Sequence, residues 1–295
     1  MTVTRPVVVG LDGSKTATHA VQWAAEEAAR RKTGLVITHS CVLVPARTLD
    51  LIAPAESYAD SVLDEGRQWL TEAAATALKA GPQIDVKTEL SAGNAAEQLI
   101  GRSASADLLV VGSHGQGGFA GLLAGSTAIA VTTHAHCPVV VIRSTEPDPP
   151  SSAPVLVGVD GSPASDAALA FAFKAAALRG VALHAVRTWW DLTAETAWQR
   201  GLTATNLASI EAAEQRLLAE QVAEHSVAYP DVPVQQLLAR DRPARTLVKH
   251  SANAQLVVVG TRGRGGFRGL LLGSTSQALI HHAHCPVGVV PLAQQ

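Results

Sequence analysis

At 295 residues and 47% apolar content, the chain has the length for two domains and the apolar surface for ordinary cores, which sets intrinsic disorder aside. Its 23 basic and 25 acidic residues nearly cancel, so no basic field favours nucleic acid and no polybasic run favours an anionic membrane. Three cysteines make no disulfide framework, no apolar run has transmembrane length, and Met1 to Pro6 leave no room for a signal peptide, so cytoplasm is the expected compartment.

Val7 to Leu11 is a short apolar run rich in β-branched residues, and reads as a strand buried on both faces. Asp12-Gly13-Ser14 ends it. Residues 15–32 suit a helix, with Ala17, Val21, Ala24, Ala25 and Ala28 at helical spacing and Gly34 as the expected left-handed cap. Leu35 to Val44 reads as the second strand and its exit, 45–54 as a loop, and Glu56 to Ala80 as a longer helix stopped by Gly81-Pro82. Ile84 to Leu90 alternates and is the expected third strand; Asn94 to Ser105 follows as a short helix and Leu108 to Val111 as the fourth strand. Then come Gly112-Ser113-His114-Gly115, nine residues, and Gly125-Ser126-Thr127, leading into a helix near 126–135 and a fifth strand, Val139 to Ile142.

All of this occurs twice. Asp12-Gly13-Ser14 recurs as Asp160-Gly161-Ser162, an interval of 148 residues, and the same interval separates Gly112 from Gly260 and His134-Ala135-His136-Cys137 from His282-Ala283-His284-Cys285. About 22 of 36 positions agree between 107–142 and 255–290. The second glycine stretch reads Gly260-Thr261-Arg262-Gly263, nine residues, Gly273-Ser274-Thr275, and strands are expected to start near Val155, Val181, Val234, Leu256 and Val287. Domains are therefore expected at 1–144 and 155–295, joined over 145–154 by a linker stiffened by Pro147, Pro149, Pro150 and Pro154. Strands alternating with helices imply an α/β fold: in each domain, a five-stranded parallel sheet with helices on both faces. Ligands in such sheets bind beyond the carboxyl ends of the strands, where the strand order reverses. Asp12 and the Gly112 loop both lie at carboxyl ends.

A strand, a glycine loop and a helix beginning Gly-Ser-Thr can cradle an anion, because backbone approaches closely at glycine and helix N-termini present unbonded N–H groups. The plain alternative is a tight turn with a capped helix. For Asp12, the alternative to ligand contact is capping the next helix together with Ser14.

The Gly-x-Asp-Gly-Ser turn, the Gly-x2-Gly-x9-Gly-Ser stretch and the final Cys-Pro-Val strand, each present twice, resemble the universal stress protein family in its tandem, ATP-binding form, as found in actinobacteria and mycobacteria. The resemblance implies two Rossmann-like domains of the adenine nucleotide alpha hydrolase type. It implies that Gly112, Gly115, Gly125, Ser126 and Thr127, and Gly260, Gly263, Gly273, Ser274 and Thr275, hold the ribose and phosphates of ATP. Asp12 and Asp160 would lie beside them, with Mg²⁺ carried by the phosphates. Backbone within Thr38-His39-Ser40 and Leu183-His184-Ala185 would meet the adenine. The fifth strands would pair edge to edge, as a pseudo-dimer within one chain or as a homodimer.

Other readings are weaker. Gly115-x-Gly117-x-x-Ala120 follows the fourth strand rather than the first, unlike a dinucleotide fingerprint, and no Gly-x4-Gly-Lys-Ser/Thr stretch exists. His134-x-His136-Cys137 and its copy offer too few ligands for structural zinc. Trp189, Trp190 and Trp198 form either a local core under the long connection or a lid or partner surface. The glycine stretches hold no carboxylate and no lysine, which favours a regulatory ATP-binding protein of stress or dormancy, with at most slow hydrolysis. A slow ATPase or phosphotransferase and a scaffold binding nucleotide weakly remain the alternatives.

Overall fold

Val7, Val8 and Val9 are 0, 3 and 0% exposed in the computed structural model of the chain. Successive strand residues face opposite sides, so such a run requires layers on both faces of its sheet. The structure describes residues 4–42, 55–115, 124–143, 150–189, 204–263 and 272–292, with the side chains of 55–57 and 204–206 outside that description. The loop expected over 45–54 and the first half of the expected linker, 145–149, lie outside the described residues.

The chain divides into two compact units, Met1–Thr145 and Glu146–Gln295. The first runs β1 (Val7–Leu11), α1 (Lys15–Arg31), β2 (Leu35–Cys41), α2 (Ala55–Ala80), β3 (Val86–Ala92), α3 (Ala95–Ser103), β4 (Leu108–Gly112), α4 (Ser126–His134) and β5 (Val139–Ile142). The second runs β6 (Val155–Gly158), α5 (Pro163–Arg179), β7 (Leu183–Thr188), α6 (Ala204–Ser226), β8 (Val234–Ala239), α7 (Pro243–Ser251), β9 (Leu256–Gly260), α8 (Ser274–His282) and β10 (Val287–Val290). Within the first unit the order is β3-β2-β1-β4-β5, and within the second β8-β7-β6-β9-β10, all parallel: two Rossmann-like α/β sheets in tandem. The strand order reverses between β1 and β4, and between β6 and β9. No helix among the described residues is long and apolar enough to cross a membrane.

Three local expectations are corrected. Gly34 does not cap α1. Lys32 does, at φ 53°, its N–H reaching Ala28 O and Ala29 O, while Gly34 has no positive φ and leaves room beside Asp85 O, 3.3 Å from where its Cβ would stand. The third strand begins at Val86 rather than Ile84, because a turn with Ile84 N on Gly81 O at 3.2 Å uses up the residues before it. The seventh begins at Leu183 rather than Val181, whose N–H goes to Ala176 O in the helix cap.

In the second unit the residue matching Lys32 is Gly180, at φ 64°. A left-handed residue with a side chain costs roughly 1–2 kcal/mol, offset in part by the unfolded-state freedom of glycine. Lys32→Gly is therefore expected to raise stability by about 0.5–1 kcal/mol in urea unfolding; a loss of stability would show that the Lys32 side chain contributes more than its backbone costs.

Candidate functional site

Pairing of β1 with β4 sets Asp12 beside the start of the glycine loop. A cleft of about 330 Å³ opens there, and Asp12, Gly112, Gly115, Gly125, Ser126 and Thr127 all line it. Its other end is walled by Thr38 and Ser40 of β2 and by Ala95 and Leu99 of α3.

Each piece has a local cause. Asp12 Oδ1 accepts the Ser14 N–H at 3.0 Å, closing a turn in which Gly13 has φ 76°. Ser14, not Asp12, caps α1, its Oγ accepting from Ala17 N at 3.1 Å. Asp12 Oδ2 then faces the glycine loop: a Cβ on Gly115 would stand 2.5 Å from it. Thr16 Oγ1 donates to His114 O at 2.6 Å, and a Cβ on Gly112 would stand 3.1 Å from that same Oγ1 and 3.2 Å from Ala17 N. The neck of the loop is closed by Gly125 N on Ser113 O at 2.7 Å and Ser113 N on Ile142 O at 2.8 Å. Gly125 is the N-cap of α4 and no side chain caps that helix. Ser126 and Thr127 thus enter its first turn rather than capping it, and the turn that lines the cleft keeps its backbone donors for another acceptor.

The second unit repeats the plan. Asp160 Oδ1 accepts Ser162 N at 2.9 Å, Gly161 has φ 78°, and Ser162 caps α5 through Ser165 N at 3.2 Å. A Cβ on Gly263 would fall against Asp160 Oδ2, closer than its counterpart in the first unit, and one on Gly260 would stand 2.6 Å from Ala164 O. Gly273 N bonds Thr261 O at 2.8 Å and is the N-cap of α8, again with no side-chain cap; Ser274 and Thr275 open that helix. Two braces differ. Buried Ser165 accepts from Gly161 N at 3.1 Å, and Ser276 Oγ donates to Gly260 O at 2.8 Å. His114 lines the first cleft with Nδ1 2.9 Å from Ser113 Oγ, whereas Arg262 is exposed. Gly117, Ala120 and the middle of both glycine stretches lie outside the described residues.

The register corrects one assignment. Gly10 pairs with Thr38, and Gly158 with Val186, so the segment matching Thr38-His39-Ser40 is Val186-Arg187-Thr188 and not Leu183-His184-Ala185. His39 itself does not line the cleft: it is 8% exposed, its Nδ1 lies 2.8 Å from Leu11 O, and its ring meets Trp69 edge-on at 5.1 Å.

A model of the universal stress protein family matches residues 4–143 and again 152–291. The chain belongs to the universal stress protein family. Universal stress protein Rv2005c of Mycobacterium tuberculosis is 42% identical over 287 residues, covering 95% of this chain and 95% of its own length. Universal stress protein Rv2623 of the same organism is 37% identical over 289 residues, covering 95% and 94%. Among solved structures, a universal stress protein from Archaeoglobus fulgidus matches with a TM-score of 0.71 over 97% of this chain and 98% of that one; at 21% identity the likeness is one of fold.

In this universal stress protein the repeated His-x-His-Cys stretch has a structural task. His136 N donates to Ser103 Oγ at 2.8 Å and His284 N to Ser251 Oγ at 2.9 Å, fixing each last strand to the helix before the glycine loop. Burial pushes the Cys137 and Cys285 thiols up to about 12, with Asp107 adding to the effect at Cys137, so neither is a nucleophile near neutral pH. Among the described residues, no group of three His, Cys, Asp or Glu is placed to hold a metal. Trp189 lies against Arg240, 5.8 Å from its guanidinium carbon; Trp190 and Trp198 are outside the described residues.

Proposed function

We propose that this universal stress protein binds ATP, one molecule per unit, and reports adenine-nucleotide level to a stress or dormancy response. One observation carries the reading: a single cleft brings together an uncapped helix N-terminus, glycines without room for a Cβ and one carboxylate oxygen, with Ala95 and Leu99 of α3 and Thr38 and Ser40 of β2 lining the rest of it. The glycine-loop end suits phosphates, and the face of α3 carrying Ala95 and Leu99 suits a base packed against it. Asp12 keeps Oδ2 on the loop side, so a cation fits there only if phosphates and water supply its other ligands, as Mg²⁺ with a nucleotide does. Such an ion would neutralise phosphate charge. Asp160 is set the same way in the second unit.

Among the described residues lining the first cleft Asp12 is the one carboxylate, and it is held in the turn through Oδ1, which supports binding over turnover. Mass spectrometry of nucleotide released from denatured protein should find ATP. Single-turnover assays with magnesium should run far below about 1 per second, the low end of ordinary enzyme rates. A rate above that, lost in Asp12→Asn with Asp160→Asn, would replace the binding reading with the ATPase one. Cytoplasmic residence and association through β5 and β10 belong to the same proposal; sedimentation with and without ATP tests the second.

A further inference from the structure

The second unit sorts its charges between the two faces of its sheet. A Cβ on Gly158 would meet Val259 and Leu247 of α7, whereas one on Gly260, the next residue along β9, would meet Ala164 of α5, so α7 and α5 cover opposite faces. α8 packs on α7, and α6 on α5. The α5 and α6 layer carries Asp166, Glu211, Glu214, Glu220 and Glu224 against three Lys or Arg. Residues 242–295, which include α7 and α8, hold six Lys or Arg and no Asp or Glu. On α7 the cations form one face. Arg242 at the N-cap, Arg245 and Lys249 are all exposed and follow the i, i+3, i+7 spacing, opposite buried Leu247 and Ser251. Asp241 Oδ2 lies 3.7 Å from Arg245 Nε, yet the Arg245 side chain is 80% exposed; among the described residues no acidic partner is placed on Arg242 or Lys249.

The fold does not call for these cations. The first unit builds the same helix with Asn94, Glu97 and Gly101 in their places. There Asn94 caps α3, accepting from Ala96 N at 2.9 Å and Glu97 N at 3.2 Å, and Glu97 suits the positive end of the helix dipole. Arg242 gives no side-chain cap, Arg242 and Arg245 put positive charge at that same positive end, and Arg245 and Lys249 repel at i, i+4. Each exchange costs helix stability, so their role lies outside the helix. We propose that the α7 face of the second unit is a docking surface for an acidic segment of a partner protein. This goes beyond the nucleotide reading and does not rest on it. From Arg242 to Lys249 the helix rises about 10 Å, the length of about three residues of extended chain, so three or four clustered carboxylates match the three cations. Residues 1–241 hold 17 Lys or Arg against 25 Asp or Glu, which opposes a long polyanion such as duplex nucleic acid and leaves a short acidic stretch as the better fit.

The test is fluorescence anisotropy on the full chain at low ionic strength, with a labelled peptide of four consecutive glutamates between glycines as the probe. The parent should bind it, and added salt should weaken the complex steeply. Arg242→Asn with Arg245→Glu and Lys249→Gln should weaken it at least about tenfold. Two of those residues are the ones the first unit uses, and asparagine restores a cap, so the fold should hold. Should the triple variant unfold, Arg245→Gln with Lys249→Gln, which adds no charge, should still lose about fourfold. Lys87→Glu with Arg216→Glu removes as much positive charge from exposed positions elsewhere, and should stay within about twofold of the parent. An equal loss in that control would reduce the effect to net charge and overturn the proposal. So would a parent that ignores the peptide, or unchanged binding in the α7 variants. A 20-base-pair duplex or phosphatidylserine vesicles bound more tightly than the peptide through the same three residues would assign the face to nucleic acid or membrane, and overturn the protein partner.

Discussion

Glutamate at both Gly115 and Gly263 is expected to abolish ATP binding while the chain still unfolds cooperatively. The cause is local. At Gly115 even a methyl group would stand 2.5 Å from Asp12 Oδ2, and at Gly263 the approach to Asp160 Oδ2 is closer, so any side chain must displace the carboxylate or the loop. Glutamate adds a negative charge where phosphates are proposed to lie. At 4 Å and an effective dielectric of 20, two unit charges repel by about 4 kcal/mol, near a thousandfold in affinity. Both residues sit in loops that are not part of the buried core, so the sheets should survive. Calorimetry should show two sites in the parent, one in each single variant and none in the double. A folded double variant binding within about threefold of the parent would end the assignment.

The strands and the site framework were legible because the chain states them twice. β1, β5 and the start of α1 fall where periodicity puts them, and the prediction that Asp12 and the Gly112 loop sit at carboxyl ends becomes a shared cleft once β1 and β4 pair. What composition could not show is which residue tolerates a left-handed backbone: Gly34 looked right, but α1 ends at Arg31 and Lys32 takes φ 53°. Nor could spacing fix the register of β7, since Val181 is as strand-like as Leu183 until the helix cap claims its N–H.

The two units also differ by matched exchanges that the repeat interval conceals. Gly66 lies inside α2, where glycine costs about 1 kcal/mol against alanine. The reason is His39: a Cβ on Gly66 would stand 2.8 Å from its Cδ2 and 3.3 Å from Cys41 Sγ. At the corresponding positions the second unit has Arg187 and Glu214, which form an ion pair, with Arg187 Nη1 also reaching Gln221 Oε1 at 3.3 Å. A histidine facing a glycine gap and an arginine facing a carboxylate are two solutions to one packing problem. Exchanging one member alone would leave either a clash or a buried charge.

A buried ion pair beneath the first sheet gives the largest expected loss of stability. Glu27 Oε1 accepts from Arg31 Nε at 2.6 Å, and Arg31 Nη1 donates to Asp107 Oδ2 at 2.7 Å; the side chains of Glu27 and Arg31 are 1% and 3% exposed, that of Asp107 36%. Removing one partner of a buried pair costs about 3–5 kcal/mol, because the remaining charge stays out of water. Asp107 still faces Arg31 in Glu27→Ala, so the lower end, about 3 kcal/mol, is expected. Unfolding midpoints move roughly 2–4 °C per kcal/mol in domains of this size, which makes the drop about 10 °C for the first unit. The second unit carries Ala175 and Gln255 at the matching positions, with Arg179 Nη1 donating to Ala175 O at 3.1 Å, and should be unaffected. Hydrogen exchange separates the two: protection should fall across α1 and β4 and hold across α5 and β9. Glu27→Gln, which keeps an acceptor for Arg31 without the charge, should lie between the alanine variant and the parent. A shift below about 2 °C for Glu27→Ala would show that Asp107 and the backbone are enough to hold the arginine.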